Sequence, residues 1–156
     1  VVSETQLKSN LSYVEIARNE GCEVVSGQHL AERNTGYFQR PGVFLNATNQ
    51  MRTSREEIFG PVASIIKVGD FEEAVATAND TVFGLSSAIC TSSLYYAREF
   101  KRQSEAGMAM VNLPTAGVDY HVPFGGRKNS SYGSREQGRA AIDFYTTTKT
   151  TYSFAG

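Results

Sequence analysis

The sequence predicts an α/β fold built around a parallel sheet. Three apolar strand candidates, at residues 62–68, 85–90 and 108–113, alternate with two helix candidates that follow residues 70 and 93. This order is typical of right-handed β-α-β crossovers. Hydrophobic residues make up 40% and charged residues 20% of the 156 residues, which is the composition of a folded globular chain.

The chain begins with a predicted helix at residues 5–20, capped by Ser3 with Gln6 three positions later. Apolar residues then recur at helical spacing, and Gly21 ends the helix. A short strand is predicted at 22–25, a loop at 26–41 with a turn near Asn34–Gly36, and a strand at 43–47. Residues 51–61 connect to the strand at 62–68, which we expect to be buried.

The second half continues the alternation of strands and helices. Asp70, with Glu73 at the third helical position, predicts a capped helix after the strand at 62–68. Strand 85–90, helix 94–105 and strand 108–113 follow, and then a long glycine-rich loop at 114–133. Ser134 with Gln137 predicts the start of a last helix that ends near Asp143. The β-branched run at 146–154 predicts a strand that pairs with another chain or domain.

Charge and cysteine content exclude several classes of protein. The net charge of −1 gives no basic surplus for nucleic-acid binding, and no apolar run is long enough to span a bilayer. Two cysteines without a CxxC pair argue against a disulfide framework and a zinc site, so we expect a reducing, cytoplasmic setting and no metal. The chain starts at Val1 without a methionine or a signal segment, and we expect it to be a piece of a longer protein.

Two strings stand out as candidate functional motifs. Glu56-Glu57-Ile58-Phe59-Gly60-Pro61-Val62 places carboxylates and an aromatic ring directly before a strand, where they could bind ribose hydroxyls and a flat ring. The alternative is a surface glutamate beside a core phenylalanine. Pro123-Phe124-Gly125-Gly126-Arg127-Lys128 lies in the long loop, and the alternative there is a tight turn with one buried aromatic residue.

The nucleophilic and metal-binding residue types give weaker signals. Cys22 follows the end of a helix and Cys90 lies in an apolar strand, so we interpret both as structural. His29 and His121 are far apart in loops, and each is interpreted as a solvated histidine.

The two strings, in this order, resemble the aldehyde dehydrogenase superfamily. EEIFGPV resembles the family's signature at the cofactor site, and VNLPTAGVDYHVPFGGRKNSSYGSREQG resembles its substrate-loop and PFGG region. The N-terminal helix, the GYFQRPGVF segment and the TTTKTTY tail are also similar to the family, so the resemblance covers nearly the whole chain. The NLPTAGVDYHVPFGG stretch is most similar to the α-ketoglutaric semialdehyde type.

The resemblance implies oxidation of an aldehyde, here a semialdehyde, to a carboxylate, with NAD or NADP as the hydride acceptor. In the family, a cysteine forms a thiohemiacetal and then a thioester, which a glutamate helps water to hydrolyse. In the family, this cysteine and this glutamate lie upstream of the region that the chain resembles, and so does the phosphate-binding loop. We therefore expect no catalytic residue in this chain and no activity from it alone.

The residues carried over from the family are binding residues. Glu57 corresponds to the glutamate that holds the nicotinamide ribose, Phe59 to the aromatic residue beside the nicotinamide, and Leu85 to an apolar contact with the same ring. Phe124 corresponds to an aromatic wall of the substrate tunnel, and the loop at the aldehyde entrance corresponds to Thr115, Ala116, Gly117 and Val118. The segment 128–135 is one residue longer than the commonest family pattern, and Ser131 stands where a glycine is common.

The resemblance also implies the domain organisation. Residues 1–143 are expected to form the C-terminal part of a catalytic domain, and residues 144–156 an oligomerisation strand. The expected partners are a small aldehyde and further copies of the enzyme in a homodimer or homotetramer, with no nucleic acid and no membrane. The alternative hypothesis is a non-catalytic, stand-alone assembly module that pairs through the tail.

Overall fold

The computed structural model describes residues 1–30 and 36–156, so Asn34 and Thr35 of the predicted turn lie outside the described residues. The chain divides into two compact units, Val1–Glu73 and Ala74–Gly156. The elements in chain order are α1 (Glu4–Asn19), β1 (Glu23–Ser26), β2 (Gly42–Ala47), α2 (Arg52–Arg55), β3 (Val62–Ile66), α3 (Phe71–Asn79), β4 (Ser86–Ile89), α4 (Leu94–Gln103), β5 (Met108–Val111), a 3-10 turn (Lys128–Ser130) and α5 (Ala140–Tyr145).

The first unit is a three-stranded sheet with α1 packed against it. β2 lies between β1, which is antiparallel to it, and β3, which is parallel to it. Ser3 caps α1 as predicted, because its side chain accepts a hydrogen bond from the backbone of Gln6. The core is formed by buried residues of α1, of β2 and of the turn between α1 and β1, namely Val14, Ala17, Cys22, Phe44 and Ala47.

The second unit contains one β-α-β crossover. β4 and β5 are parallel neighbours in register from Ser86 with Met108 to Ile89 with Val111, and α4 connects them. Ser93 caps α4, and Phe100 is the buried residue that anchors its apolar face. The predicted α/β class with parallel strands is therefore confirmed.

The prediction that three successive strands share one sheet is wrong. β3 pairs with β2, whereas β4 pairs with β5, so the parallel strands form two sheets. The sequence did not indicate that β2 and β3 are parallel, because their connection contains only the single turn α2. β3 is also an edge strand rather than a buried one: its residues alternate between half-buried and exposed, and Ile65 is 50% exposed.

The last helix begins later than predicted. Ser134 and Gln137 do not cap it, because Glu136 exchanges two backbone hydrogen bonds with Phe124 and this holds the segment extended. Gln137 then adopts a left-handed φ of 65°, which a helix does not allow, and α5 starts at Ala140.

The predicted strand at 146–154 is not formed in the single chain. Residues 146–156 are exposed and without regular secondary structure, although Thr146 has extended backbone angles. A strand is stabilised by backbone hydrogen bonds to a neighbouring strand, and no described strand supplies them. The assignment of residues 144–156 to oligomerisation stays a prediction. In the described ranges, no helix is long and apolar enough to cross a membrane.

Candidate functional site

The EEIFGPV string forms an exposed loop between α2 and β3, and Ile58 anchors it. The Ile58 side chain packs against the core of the first unit. Its neighbours in the chain, Glu57 and Phe59, are both exposed, and the Phe59 ring is 75% exposed. Phe59 has a left-handed φ of 56°, which is unfavourable for a phenylalanine. The alternative interpretation of Phe59 as a core residue is therefore wrong.

A network of side-chain amides from α1 holds the backbone of this loop. Gln6 Nε2 donates to the carbonyl oxygen of Ile58 at 2.9 Å and to that of Phe59 at 3.4 Å. It also donates to the amide of Asn10, which is fully buried and lies 3.1 Å from the amide of Gln39. Because buried amides are costly without partners, this network fixes the loop against α1.

Gly60 lets the loop approach α1 closely. A Cβ at this position would lie 2.6 Å from Cγ and Nδ2 of Asn10 and 2.9 Å from Oδ1. Carbon atoms normally stay 3.5–4.0 Å apart, so a larger residue would force the loop away. Asn10 is not among the residues predicted from the sequence. The available signal was an asparagine within the buried stripe of α1, whose other members are Leu7, Val14 and Ala17.

The two adjacent carboxylates of the loop have different environments. Glu56 forms a two-point ion pair with Arg52, with N–O distances of 2.8 and 3.0 Å, and accepts a 2.6 Å hydrogen bond from the Tyr13 hydroxyl. The Arg52 guanidinium and the Tyr13 hydroxyl lower the pKa of Glu56 to about 2. In contrast, no described residue forms a hydrogen bond or ion pair with the carboxylate of Glu57.

A cavity of about 660 Å³ lies beside this loop. Its lining includes Glu57, Phe59 and Pro61 together with Gln39 and Thr53 from elsewhere in the first unit. The structure thus brings two of the predicted cofactor-binding residues, Glu57 and Phe59, to one cavity. A carboxylate with no partner among the described residues and an exposed ring on the cavity wall suit a ligand that carries hydroxyl groups and a flat ring.

The second unit carries the other predicted residues, beginning with Leu85. Leu85 directly precedes β4 and is 40% exposed. Its carbonyl oxygen accepts a hydrogen bond from Met108 at 3.1 Å, which fixes it at the start of the β4–β5 pair.

The glycine turn, residues 124–126, packs against the same end of these strands. A Cβ at Gly107 would overlap the carbonyl oxygen of Gly125 and lie 2.7 Å from the Cα of Gly126. A Cβ at Gly126 would lie 3.1 Å from the Cα of Leu85. The backbones are thus in direct contact, and only glycine permits this approach. The half-buried Phe124 lies at the start of the turn.

Lys128 fixes the chain that follows the glycine turn. Its ammonium group forms a 2.6 Å ion pair with Glu105 and donates to the carbonyl oxygens of Asn79 and Thr81 at the end of α3. These are favourable partners for a cation, because carbonyl groups at a helix C-terminus carry partial negative charge. This role of Lys128 was not predicted from the sequence.

The predicted aldehyde-entrance residues lie in a surface loop after β5. Thr115, Ala116 and Gly117 are exposed and Val118 is half-buried. No regular secondary structure holds these four residues, and the structure does not test their assignment.

The two cysteines differ in exposure. Cys22 is buried in the core, where its Sγ lies 3.4 Å from Sδ of Met51, and burial raises the pKa of its thiol. Cys90 was expected within an apolar strand, but it follows the end of β4 and is exposed. Among the described residues, no cluster of histidine, cysteine and acidic side chains is arranged to hold a metal ion.

Comparisons with known proteins identify the family of this chain. The aldehyde dehydrogenase family model matches residues 1–151, and the chain belongs to this family. It is 46% identical to an α-ketoglutarate semialdehyde dehydrogenase from Haloferax volcanii over 97% of this chain, and 43% identical to an α-ketoglutaric semialdehyde dehydrogenase from Bacillus subtilis over the same share. It covers 32% of each relative, so it spans about a third of the length of the curated relatives that it matches.

Solved structures give the same result. The aldehyde dehydrogenase KauB from Pseudomonas aeruginosa superimposes with a TM-score of 0.89 at 41% identity, over 96% of this chain and 30% of that one. A Mycobacterium tuberculosis aldehyde dehydrogenase complexed with NAD+ superimposes with a TM-score of 0.87 at 32% identity, over 97% of this chain and 32% of that one.

Proposed function

We propose that this chain is the C-terminal part of the catalytic domain, residues 1–143, and the oligomerisation segment, residues 144–156, of an NAD(P)-dependent aldehyde dehydrogenase. The enzyme oxidises an aldehyde, of the semialdehyde class, to a carboxylate. Membership of the family and the similarity to two semialdehyde dehydrogenases support this proposal.

The observation that carries the proposal is that Glu57, whose carboxylate has no partner among the described residues, lies next to the exposed ring of Phe59 at one cavity. A carboxylate accepts hydrogen bonds from both hydroxyl groups of a ribose, and an aromatic ring packs beside a flat heterocycle. These residues therefore fit the nicotinamide riboside part of NAD or NADP, which supplies the hydride acceptor when it is bound. For Leu85, in the second unit, the family resemblance implies an apolar contact with nicotinamide.

Glu56 and Glu57 are proposed to have different roles. The Glu56 carboxylate binds Arg52 through Nε and Nη2, which fixes Glu56 in an ion pair. Glu57 has no such partner among the described residues, and we propose that its carboxylate binds the ribose.

The aldehyde is bound by other residues of the chain. Phe124 forms an aromatic wall for it, and Thr115, Ala116, Gly117 and Val118 line its entrance. Neither cysteine serves as the nucleophile, because Cys22 is buried with a raised pKa and Cys90 does not match the family's nucleophile position. The nucleophile and the general base therefore come from parts of the enzyme outside these 156 residues, and this chain alone is inactive.

The test uses the full-length protein that contains this chain. We expect Glu57→Gln to lower kcat/KM for the dinucleotide about 10- to 100-fold, since a charged hydrogen-bond acceptor for the ribose is lost. Reduction of NAD or NADP by an aldehyde, followed by absorbance, gives the rates. The matched control is Glu72→Gln, which changes an exposed glutamate in the first turn of α3 and should leave the rates unchanged.

Two outcomes would contradict the proposal. Equal kinetics for the wild type and Glu57→Gln would remove the ribose assignment. Dinucleotide reduction by the purified 156-residue chain would show that the nucleophile lies within it.

A further inference from the structure

The segment 131–136, here called the return segment, runs back along the glycine turn and is hydrogen-bonded to it at several points. Phe124 donates its backbone N–H to the carbonyl oxygen of Glu136 at 2.7 Å, and Glu136 returns a hydrogen bond of 2.8 Å. The return segment therefore fixes the backbone of the residue whose ring is expected to face the aldehyde.

Two side chains of the return segment bind both polar groups of Gly126. The Ser131 hydroxyl accepts a 2.6 Å hydrogen bond from the Gly126 N–H, and Arg135 donates to the Gly126 carbonyl oxygen. Arg135 also lies across Gly125, where a Cβ would come within 2.9 Å of its Nη1. The peptide groups on either side of Gly126 are thus held by Ser131 and Arg135.

The opposite side of the turn is held by the strands. Arg127 donates its backbone N–H to the carbonyl oxygen of Gly84 at 2.9 Å. Gly126 itself is buried and lies against Gly84, Leu85 and Gly107. The glycine turn therefore lies between the end of the β4–β5 pair and the return segment, and it is hydrogen-bonded to both.

We propose that Ser131 and Arg135 are positioning residues that set the place of the Phe124 ring and thereby determine which aldehydes the enzyme accepts. This inference rests on the proposed function, in which Phe124 forms a wall of the substrate site. Ser131 is the more informative of the two, because its hydroxyl can be removed or retained by small substitutions. Without that hydroxyl, the side chain at position 131 cannot accept the hydrogen bond from the Gly126 N–H.

The experiment compares Ser131→Ala, Ser131→Gly and Ser131→Thr in the full-length enzyme. Threonine keeps the hydroxyl acceptor, and alanine and glycine remove it. The matched control is Ser134→Ala, which removes an exposed hydroxyl from the same segment. Each variant is assayed with a five-carbon semialdehyde that ends in a carboxylate and with pentanal, a neutral aldehyde of equal carbon number.

We expect Ser131→Ala and Ser131→Gly to change the ratio of kcat/KM between the two aldehydes about three- to tenfold, the range given by loss of one ordinary hydrogen bond. The change should lie in the KM for the aldehyde, while the KM for the dinucleotide stays within about twofold of the wild type, because the Glu57 loop is untouched. Ser131→Thr and the control Ser134→Ala should both keep the wild-type ratio.

Several results would overturn the inference. If Ser131→Ala lowers the thermal midpoint but leaves the ratio unchanged, the hydroxyl only stabilises the fold. If Ser131→Thr fails to restore the ratio, the hydrogen bond is not the cause. A wild-type enzyme that oxidises neither aldehyde would overturn the proposed function and this inference with it, whereas an active enzyme with invariant selectivity overturns the inference alone.

Discussion

The contact between Gly60 and Asn10 predicts that Gly60→Ala, which adds one methyl group, destabilises the fold. A Cβ at Gly60 would come within 2.6 Å of two side-chain atoms of Asn10, and Asn10 is fully buried. Overpacking of this kind costs about 1–3 kcal/mol. We therefore expect Gly60→Ala to lower the free energy of unfolding by about 2 kcal/mol, measured on the purified chain by urea denaturation and circular dichroism.

A double-mutant cycle tests the cause of that loss. Asn10→Ala removes all three atoms that the new Cβ would meet, so Gly60→Ala should cost less than about 0.5 kcal/mol in that background. The control is Gly69→Ala, where the nearest atom is the flexible carboxylate end of Glu73 at 3.2 Å. Both glycine substitutions stiffen the unfolded chain to a similar degree, so this control isolates the contact. Equal losses from Gly60→Ala in the presence and absence of Asn10 would refute the reasoning.

Three further predictions concern other parts of the chain. The ion pair with Arg52 lowers the pKa of Glu56 to about 2. The contribution of Glu56 to the free energy of unfolding is therefore complete above its ordinary pKa of 4.5 and is lost as the pH falls towards 2. In Glu56→Gln, the free energy of unfolding should change less with pH over this range. Exposed Cys90 should react with a thiol reagent much faster than Cys22, as followed by mass spectrometry, and equal rates would contradict the burial of Cys22. Gly107→Ala should lower the thermal midpoint by several degrees, since its Cβ would overlap the glycine turn; an unchanged midpoint would argue against that packing.

The sequence predicts the helices and strands of this chain well where local signals define them. The cap at Ser3 and the apolar residues that follow it give α1 nearly its full length, and the β4-α4-β5 crossover follows from its periodicity. Strand partners are not encoded locally. β2 and β3 pair in parallel over a long connection, and no short pattern indicates this pairing.

The candidate site shows the same limit. Glu57 and Phe59 could be found because their string resembles a family signature, but the difference between Glu56 and Glu57 could not. That difference arises from Arg52, four residues before Glu56, and from Tyr13, which is 43 residues away in the sequence. Likewise, the serine and glutamine at 134 and 137 have the spacing of a helix cap, but a long-range pairing with Phe124 overrides it.

The left-handed backbone of Phe59 has a consequence for protein engineering. Such a conformation costs a phenylalanine about 1–2 kcal/mol, whereas glycine and asparagine adopt it more easily. A library selected only for heat resistance should therefore enrich glycine or asparagine at position 59 and lose the ring on the cavity wall. Under the proposed function this ring packs beside the nicotinamide, so thermostable variants should be sought with position 59 held constant.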